Sequence, residues 1–151
     1  MKTAICYYSV HHGNTRKVVE AMAEGTDTDL IDLKNQPSPE LEVYDCIGFA
    51  SGIYGFDLHP SVTACMQNAL PRGKKVFFVY TYGAKPGIAV KTFRKLSEQQ
   101  GATVLGEYGC KGYDTFGPFK LVGGLAKGHP TEDELKQGRD FFRGCLKKFE
   151  L

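Results

Sequence analysis

Residues 2–24 read KTAICYYSVHHGNTRKVVEAMAE, and this stretch decides the fold. Its first seven residues form a short, mostly apolar run of the kind found in buried strands. A glycine-containing turn follows, and Val18 and Met22 then stand four residues apart on one helix face before Gly25 ends the pattern. The stretch therefore predicts a strand, a loop and a helix.

The same alternation continues along the rest of the chain. Strands are predicted over 28–33, 44–50, 75–80 and 103–108, and helices from near 60 to before 71, from 89 towards 101, and from the capping box at 131–134 onward. The strand at 75–80 is apolar on both faces, as an inner parallel strand must be. Five strands and four helices in this order predict an α/β fold with a doubly wound parallel sheet between two helix layers. In these sheets ligands bind beyond the carboxyl ends of the strands.

Composition narrows the class of protein. The chain has 151 residues, 19 Lys plus Arg against 17 Asp plus Glu, and a net charge of +2. This length predicts one domain over residues 1–151, and the interspersed charges give no footprint for nucleic acid. No stretch is apolar enough for a membrane span or a secretory signal, so we expect a cytoplasmic protein. Five cysteines without a C-x-x-C pair predict buried reduced thiols and no metal site.

The loop at 9–15 has the chemistry of an anion site. Gly13 lets the backbone turn closely around a ligand, and the N–H groups at the helix start point towards it. Ser9, Asn14 and Thr15 add neutral donors. No lysine stands in the loop to meet the outer phosphates of a nucleoside triphosphate, so a terminal monophosphate fits better. The alternative is that Ser9 and Asn14 only cap the helix.

Two further loops are rich in aromatic residues and glycine. Residues 51–59 read SGIYGFDLH and follow the third strand, while residues 81–87 read TYGAKPG and follow the fourth. Aromatic side chains between glycines suit a flat ring that stacks on a side chain while backbone amides approach its edge. The alternative is that Tyr54 and Phe56 only seal the end of the sheet.

The order of a phosphate loop and two aromatic loops on successive strand ends resembles the flavodoxins. Their first loop typically has a Ser or Thr, a variable residue and then Thr-Gly-Asn-Thr; here Ser9, Gly13, Asn14 and Thr15 match, with two histidines in the variable middle. The resemblance covers the whole chain in length and element order. It implies a flavodoxin-like, three-layer fold with five parallel strands in the order 2-1-3-4-5, and one non-covalent FMN.

The resemblance also implies where the cofactor lies. The phosphate would be held by Ser9, His11, Gly13, Asn14 and Thr15, and the flavin ring would lie between Ser51, Gly52, Ile53, Tyr54 and Gly55 on one side and Thr81, Tyr82 and Gly83 on the other. Tyr54 and Tyr82 are the stacking candidates, and the Gly55 carbonyl could meet flavin N5. The segment at 110–130 is unusually long; its aromatics could cover the flavin, form a partner surface, or, for Phe116 and Phe119, tuck under the sheet edge.

Three functions fit this reading. The first is a small soluble electron carrier, a non-enzymatic monomer that binds FMN and exchanges electrons with redox partner proteins. The second is an FMN-dependent NAD(P)H or quinone-type reductase of the same fold, with a pocket over the flavin. The third is an interaction domain that has lost FMN. A hydrolase G-x-S-x-G, a dinucleotide G-x-G-x-x-G and the phosphorylatable Asp of a receiver domain are all missing from their required places.

Overall fold

The computed structural model describes residues 1–10, 12–113, 121 and 123–150. In these ranges all the predicted strands and helices are present, and no helix separates the second strand from the third. The elements are β1 (Thr3–Tyr8), α1 (Asn14–Ala23), β2 (Thr28–Asp32), β3 (Cys46–Tyr54), β4 (Asp57–Leu58), α2 (Pro60–Asn68), β5 (Lys75–Tyr82), α3 (Ala89–Gln99), β6 (Thr103–Lys111) and α4 (Glu132–Glu150).

Five of the strands form a parallel sheet in the order β2-β1-β3-β5-β6. The two-residue β4 pairs antiparallel with the end of β3. Counted without β4, the sheet has the order 2-1-3-4-5, which confirms the predicted topology. The sequence analysis did not predict β4. It forms because Gly55 and Phe56 both adopt positive φ, 58° and 68°, and so turn the chain back in a tight hairpin.

Three strands run further towards the site than predicted, since β5 also extends, from residue 80 to Tyr82. β3 continues to Tyr54 because Ser51 and Gly52 still pair with β5, and the next two residues pair with β4. β6 continues to Lys111 because the end of β5 pairs with it there. The predicted loop at 51–59 is therefore a strand end and a hairpin, and residues 110–111 belong to the sheet.

The apolar core lies on both faces of the sheet. One buried cluster joins the sheet to α2 and α3, where Phe78 and Phe93 stack with ring centroids 4.8 Å apart. The other joins the sheet to α1 and α4 around Phe77 and Phe142, whose ring centroids lie 5.4 Å apart. Helices thus cover both faces, which confirms the three-layer arrangement.

Two smaller predictions, on the cysteines and on the start of α4, are also confirmed. All five cysteines are buried and unbridged, and burial raises the pKa of the Cys46 and Cys110 thiols to about 12. The capping box opens α4: the Glu134 N–H donates to Thr131 Oγ1 (3.2 Å), and the Thr131 N–H donates to Glu134 Oε1 (2.9 Å). Over the described ranges, no helix is both long and apolar enough to cross a membrane.

Candidate functional site

The candidate loops meet at the carboxyl-end edge of the parallel sheet. The loop after β1 leads into α1, the hairpin follows β3, and the segment after β5 leads into α3. Since β3 lies between β1 and β5, the three segments are neighbours in space. The structure therefore brings together the predicted phosphate residues and the predicted ring residues on one edge of the molecule.

The loop before α1 has an anion-binding backbone. His12 and Gly13 both adopt the left-handed conformation, with φ of 61° and 65°. Successive backbone N–H groups in such a turn form a concave surface that attracts anions, and the N-terminal end of α1 adds its partial positive charge. The Arg16 N–H donates to Ser9 Oγ over 3.1 Å, so the Ser9 hydroxyl hydrogen remains available for a ligand.

Two polar side chains at the start of α1 are buried. Thr15 is 2% exposed, and its Oγ1 lies 2.9 Å from Thr81 Oγ1, which connects this loop to the end of β5. Asn14 donates from Nδ2 to the Tyr113 carbonyl over 2.8 Å. Its Oδ1 is buried and has no hydrogen-bond partner among the described residues. An unpaired buried amide oxygen is costly unless the site is completed by something else.

The chain after β6 forms the wall behind this loop, a feature that the sequence analysis missed. The Gly112 N–H donates to the Tyr82 carbonyl (2.9 Å), and a Cβ on Gly112 would lie 2.7 Å from Asn14 Nδ2. The Tyr113 ring lies against the His12 ring with centroids 4.3 Å apart. A glycine directly after a strand was the available signal for this close approach.

On the ring side, hydrogen bonds of Ser51 fix the end of β3. Ser51 is fully buried; its hydroxyl donates to the Gly52 carbonyl (2.6 Å) and accepts from the His59 N–H (2.9 Å). Tyr54 lies over Gly52, whose missing Cβ would be 3.2 Å from the tyrosine ring. The Tyr54 ring also meets His59 edge-on at 5.0 Å between centroids. Tyr54 is thus part of an aromatic cluster at the site.

The hairpin and the segment after β5 are in direct contact. The Ile88 N–H donates to the Phe56 carbonyl over 2.7 Å. Gly87, at φ 62°, lies so close that a Cβ there would be 2.0 Å from the Phe56 oxygen. This contact fixes the spacing between the hairpin, with Gly55 at its turn, and the segment containing Gly83. These two segments are the predicted walls of the site for a flat ring, so the contact fixes the width of that site.

His59 is a second residue that the sequence analysis did not assign to the site. Its Nδ1 accepts the Ser61 N–H over 3.0 Å and so caps α2, while its ring stacks on Tyr8 at 3.7 Å between centroids. Burial lowers the pKa of the His59 imidazole. The signal in the sequence was a polar residue directly before Pro60, the proline at the first position of a helix.

This lowered pKa gives a prediction for stability. The folded protein disfavours protonated His59, so the unfolded chain binds this proton more readily, and stability falls as the pH drops below about 6.5. His59→Asn keeps a capping acceptor and removes the titration. We expect the loss of unfolding free energy between pH 7.5 and 5.5, measured by urea denaturation, to be smaller in this variant. Parallel pH curves for the two proteins would contradict the assignment.

Parts of the predicted site lie outside the described residues. These are His11 and residues 114–120, including Phe116 and Phe119. Within the described ranges, no group of three or more His, Cys, Asp or Glu side chains is arranged to hold a metal ion.

The loop before α1 fits a phosphate group. The concave backbone at His12 and Gly13 and the hydroxyls of Ser9 and Thr15 supply donors for a phosphate. A Cβ on Gly13 would meet no atom of the described residues within 4 Å, so these residues leave open space beside the backbone. The nearest cation along the chain, Arg16, already pairs with Glu20 at 2.7 Å. A neutral cradle of this kind suits a single terminal phosphate.

Comparisons with known proteins show the family of the chain and structures that share its fold. The flavodoxin domain family matches residues 4–112. An uncharacterized protein of Methanocaldococcus jannaschii is 38% identical over 149 residues, covering 97% of this chain and 99% of that one. Oxidised flavodoxin 2 of Bacillus cereus superposes with a TM-score of 0.72 at 19% identity, covering 98% and 99% of the two chains. Rubredoxin:oxygen oxidoreductase of Desulfovibrio gigas gives 0.74 at 17% identity, over 99% of this chain and 36% of that one. By its family match, the chain belongs to the flavodoxin domain family.

Proposed function

We propose that this protein binds FMN and acts as a small electron carrier. The observation that carries the proposal is the loop at His12 and Gly13, where two consecutive left-handed residues open the N-terminus of α1 beside the Ser9 and Thr15 hydroxyls. Such a loop suits a phosphate monoester. We further propose that the protein works in the cytoplasm as a monomer that exchanges electrons with partner proteins.

Each part of the site has a separate task in this proposal. The loop at 9–15 holds the phosphate through backbone and hydroxyl donors, and the Thr15–Thr81 contact positions it relative to β5. The hairpin and the segment after β5 hold the ring at a fixed spacing through the Phe56–Ile88 hydrogen bond. FMN, when bound, supplies the ability to take up and release electrons. The protein binds and orients the cofactor and leaves an edge of it accessible to partners.

The reductase remains the second candidate, and one feature favours it. A cleft of about 470 Å³ lies between the hairpin and α2, lined by Tyr54, Pro60 and Gln67 among others. A substrate bound there would be next to the predicted ring site. Oxidation of NADPH by the FMN-loaded protein with a quinone as acceptor distinguishes the two functions, because a carrier alone gives no turnover.

The direct test is the flavin itself. The purified protein should show flavin absorbance bands, and after removal of the cofactor it should bind FMN more tightly than riboflavin. Each charge-assisted hydrogen bond to the phosphate contributes about 1.5 to 3 kcal/mol, so a preference of at least about 100-fold is expected. A protein that binds neither ligand would be the interaction domain without a cofactor.

Stacking on the flavin ring gives a separate prediction. Tyr54 lies over Gly52 on one wall, and Tyr82 ends β5 on the other, with its ring 6.0 Å from that of Tyr80. We expect Tyr54→Ala or Tyr82→Ala to relieve the quenching of flavin fluorescence and to weaken FMN about 10-fold, in line with a stacking contribution near 1 kcal/mol plus lost burial. Phe78→Leu, deep in the core, is the control. If neither tyrosine matters, Phe56 or Tyr113 becomes the stacking candidate.

A further inference from the structure

Two apolar side chains stand exposed beside the ring side of the site. Phe56 at the turn of the hairpin is 71% exposed, and Ile88 at the start of α3 is 56% exposed. They are neighbours in space, because the Ile88 N–H donates to the Phe56 carbonyl over 2.7 Å. Single exposed apolar residues are ordinary, but an adjacent pair held by a backbone contact forms a patch.

Phe56 is a costly residue at this position. Its φ of 68° is left-handed, which destabilises an L-residue by about 1 to 2 kcal/mol and is met most easily by glycine or asparagine. Gly87 has no Cβ and thereby leaves room for the Phe56 carbonyl. The surrounding backbone thus holds a bulky aromatic ring outward at the tip of a tight turn. Most of this ring is exposed to solvent.

Lysines continue this patch along α3. Ile88, Lys91 and Lys95 are spaced three and four residues apart, so they lie on one face of the helix, away from the buried Phe93. Lys91 and Lys95 are exposed, as is Lys85 in the segment before the helix. In the part of the chain that the structure describes, none of these three lysines forms an ion pair.

The local charge balance is strongly one-sided. Residues 58–97 contain seven Lys and Arg and no Asp or Glu, although the whole chain is nearly neutral. Asp57 and Glu98 bound this stretch, and Glu98 lies on α3 three residues after Lys95. Other cations of this stretch are engaged elsewhere: Arg94 pairs with Glu107, and Lys74 lies 3.9 Å from Glu42. The nearby Asp57 carboxylate accepts hydrogen bonds from the Leu58 N–H (2.8 Å) and the Thr92 hydroxyl (3.1 Å). Among the described residues, the lysines beside the patch thus have no carboxylate in ion-pair contact.

We propose that Phe56, Ile88, Lys85, Lys91 and Lys95 form a docking surface for an acidic protein partner. The occupant is a protein with an apolar patch ringed by carboxylates. Phe56 and Ile88 would supply the desolvated centre of the interface, and the lysines would accelerate encounter and select against basic partners. The surface adjoins the hairpin that forms one wall of the ring site, so a docked protein would lie next to the cofactor. Docking itself does not require the proposed FMN function.

The test uses two probe proteins of opposite charge. An acidic plant-type ferredoxin and the basic cytochrome c are each titrated against the immobilised chain, with and without FMN, at low and at physiological ionic strength. We expect the ferredoxin to bind more tightly than the cytochrome, and to lose affinity as salt is added. Measuring the chain without FMN separates this result from the proposed electron-carrier function.

Matched variants locate the binding site. The double variant Lys91→Glu/Lys95→Glu should weaken ferredoxin binding at least about 10-fold at low salt, as expected for charges at an interface. Lys136→Glu/Lys147→Glu on α4 changes the net charge equally at exposed lysines elsewhere, and should have a much smaller effect. Phe56→Asn suits the left-handed turn and should weaken binding at both salt concentrations without loss of thermal stability.

Three results would overturn the proposal. The two double variants could weaken ferredoxin binding equally, which would show that only the net charge of the protein matters. The cytochrome could bind as well as the ferredoxin. Sedimentation could show a dimer that Phe56→Asn dissociates, which would assign the surface to a second copy of the chain.

Discussion

Replacing Gly13 by valine should weaken FMN binding by about 100-fold or more, while riboflavin binding changes by no more than about 3-fold. The difference is expected because, in the proposed site, Gly13 lies on the phosphate side alone. Loss of one or two charge-assisted hydrogen bonds, each contributing about 1.5 to 3 kcal/mol, accounts for a change of this size. Riboflavin has no phosphate, so its affinity should not depend on these hydrogen bonds.

Two physical effects act at this position. The backbone at Gly13 has φ of 65°, which strains any L-residue and a β-branched one most. Valine would therefore pull the backbone out of the left-handed turn and misalign the N–H groups at the start of α1. Where the turn persists, the new side chain would fill the space beside the loop, in which no atom of the part of the chain that the structure describes lies within 4 Å of the Cβ position. Both effects should weaken the binding of a phosphate group at this loop.

Gly25 provides a matched control for Gly13→Val. Gly25 also has a positive φ, 74°, and a Cβ there would also meet no atom of the described residues within 4 Å. It differs from Gly13 in its position, because it follows the C-terminal end of α1. Gly25→Val should cost a similar amount of stability and leave both flavins bound as before. Fluorescence titrations of both variants with FMN and riboflavin give the comparison. Equal loss of the two ligands in Gly13→Val would contradict the phosphate assignment.

The sequence predicts the parallel sheet and the phosphate loop because their signals are local. The apolar run ending at Tyr80 predicts an inner strand by itself, and the capping box at Thr131 predicts the start of α4 by itself. Gly13, Asn14 and Thr15 stand in the turn where the first strand must become a helix. In each case neighbours along the chain determine the conformation.

Features that depend on distant contacts were not predictable in this way. β4 depends on Phe56 adopting a left-handed conformation that its side chain disfavours, and the Ile88 N–H and Gly87 hold it there. Tyr113 reaches Asn14 across 99 residues of sequence. No periodicity or local motif encodes such contacts, because they arise only once the sheet has brought the strand ends together.

The contact between the hairpin and the segment after β5 leads to the second large effect. Gly87→Ala would place a Cβ 2.0 Å from the Phe56 carbonyl oxygen, a backbone atom that cannot rotate away. The Ile88–Phe56 hydrogen bond must then break, and the two segments must separate. Overpacking of this kind destabilises a protein by about 1 to 3 kcal/mol, so the thermal midpoint should fall by several degrees.

Gly87→Ala should weaken the binding of both flavins, whereas Gly13→Val should weaken the binding of FMN alone. The altered spacing concerns the two walls of the ring site, and both flavins carry the ring. We therefore expect FMN and riboflavin to weaken by a similar factor of about 10 or more, equivalent to about 1.4 kcal/mol or more in binding. Gly73→Ala is the control. Gly73 also has a positive φ, 77°, but a Cβ there would meet no atom of the described residues within 4 Å, so this variant has the backbone strain without the clash. Two results would contradict this assignment of the walls that hold the ring to the hairpin and the segment after β5. Gly87→Ala could weaken the binding of FMN but not of riboflavin, or it could change the binding of both flavins no more than Gly73→Ala does.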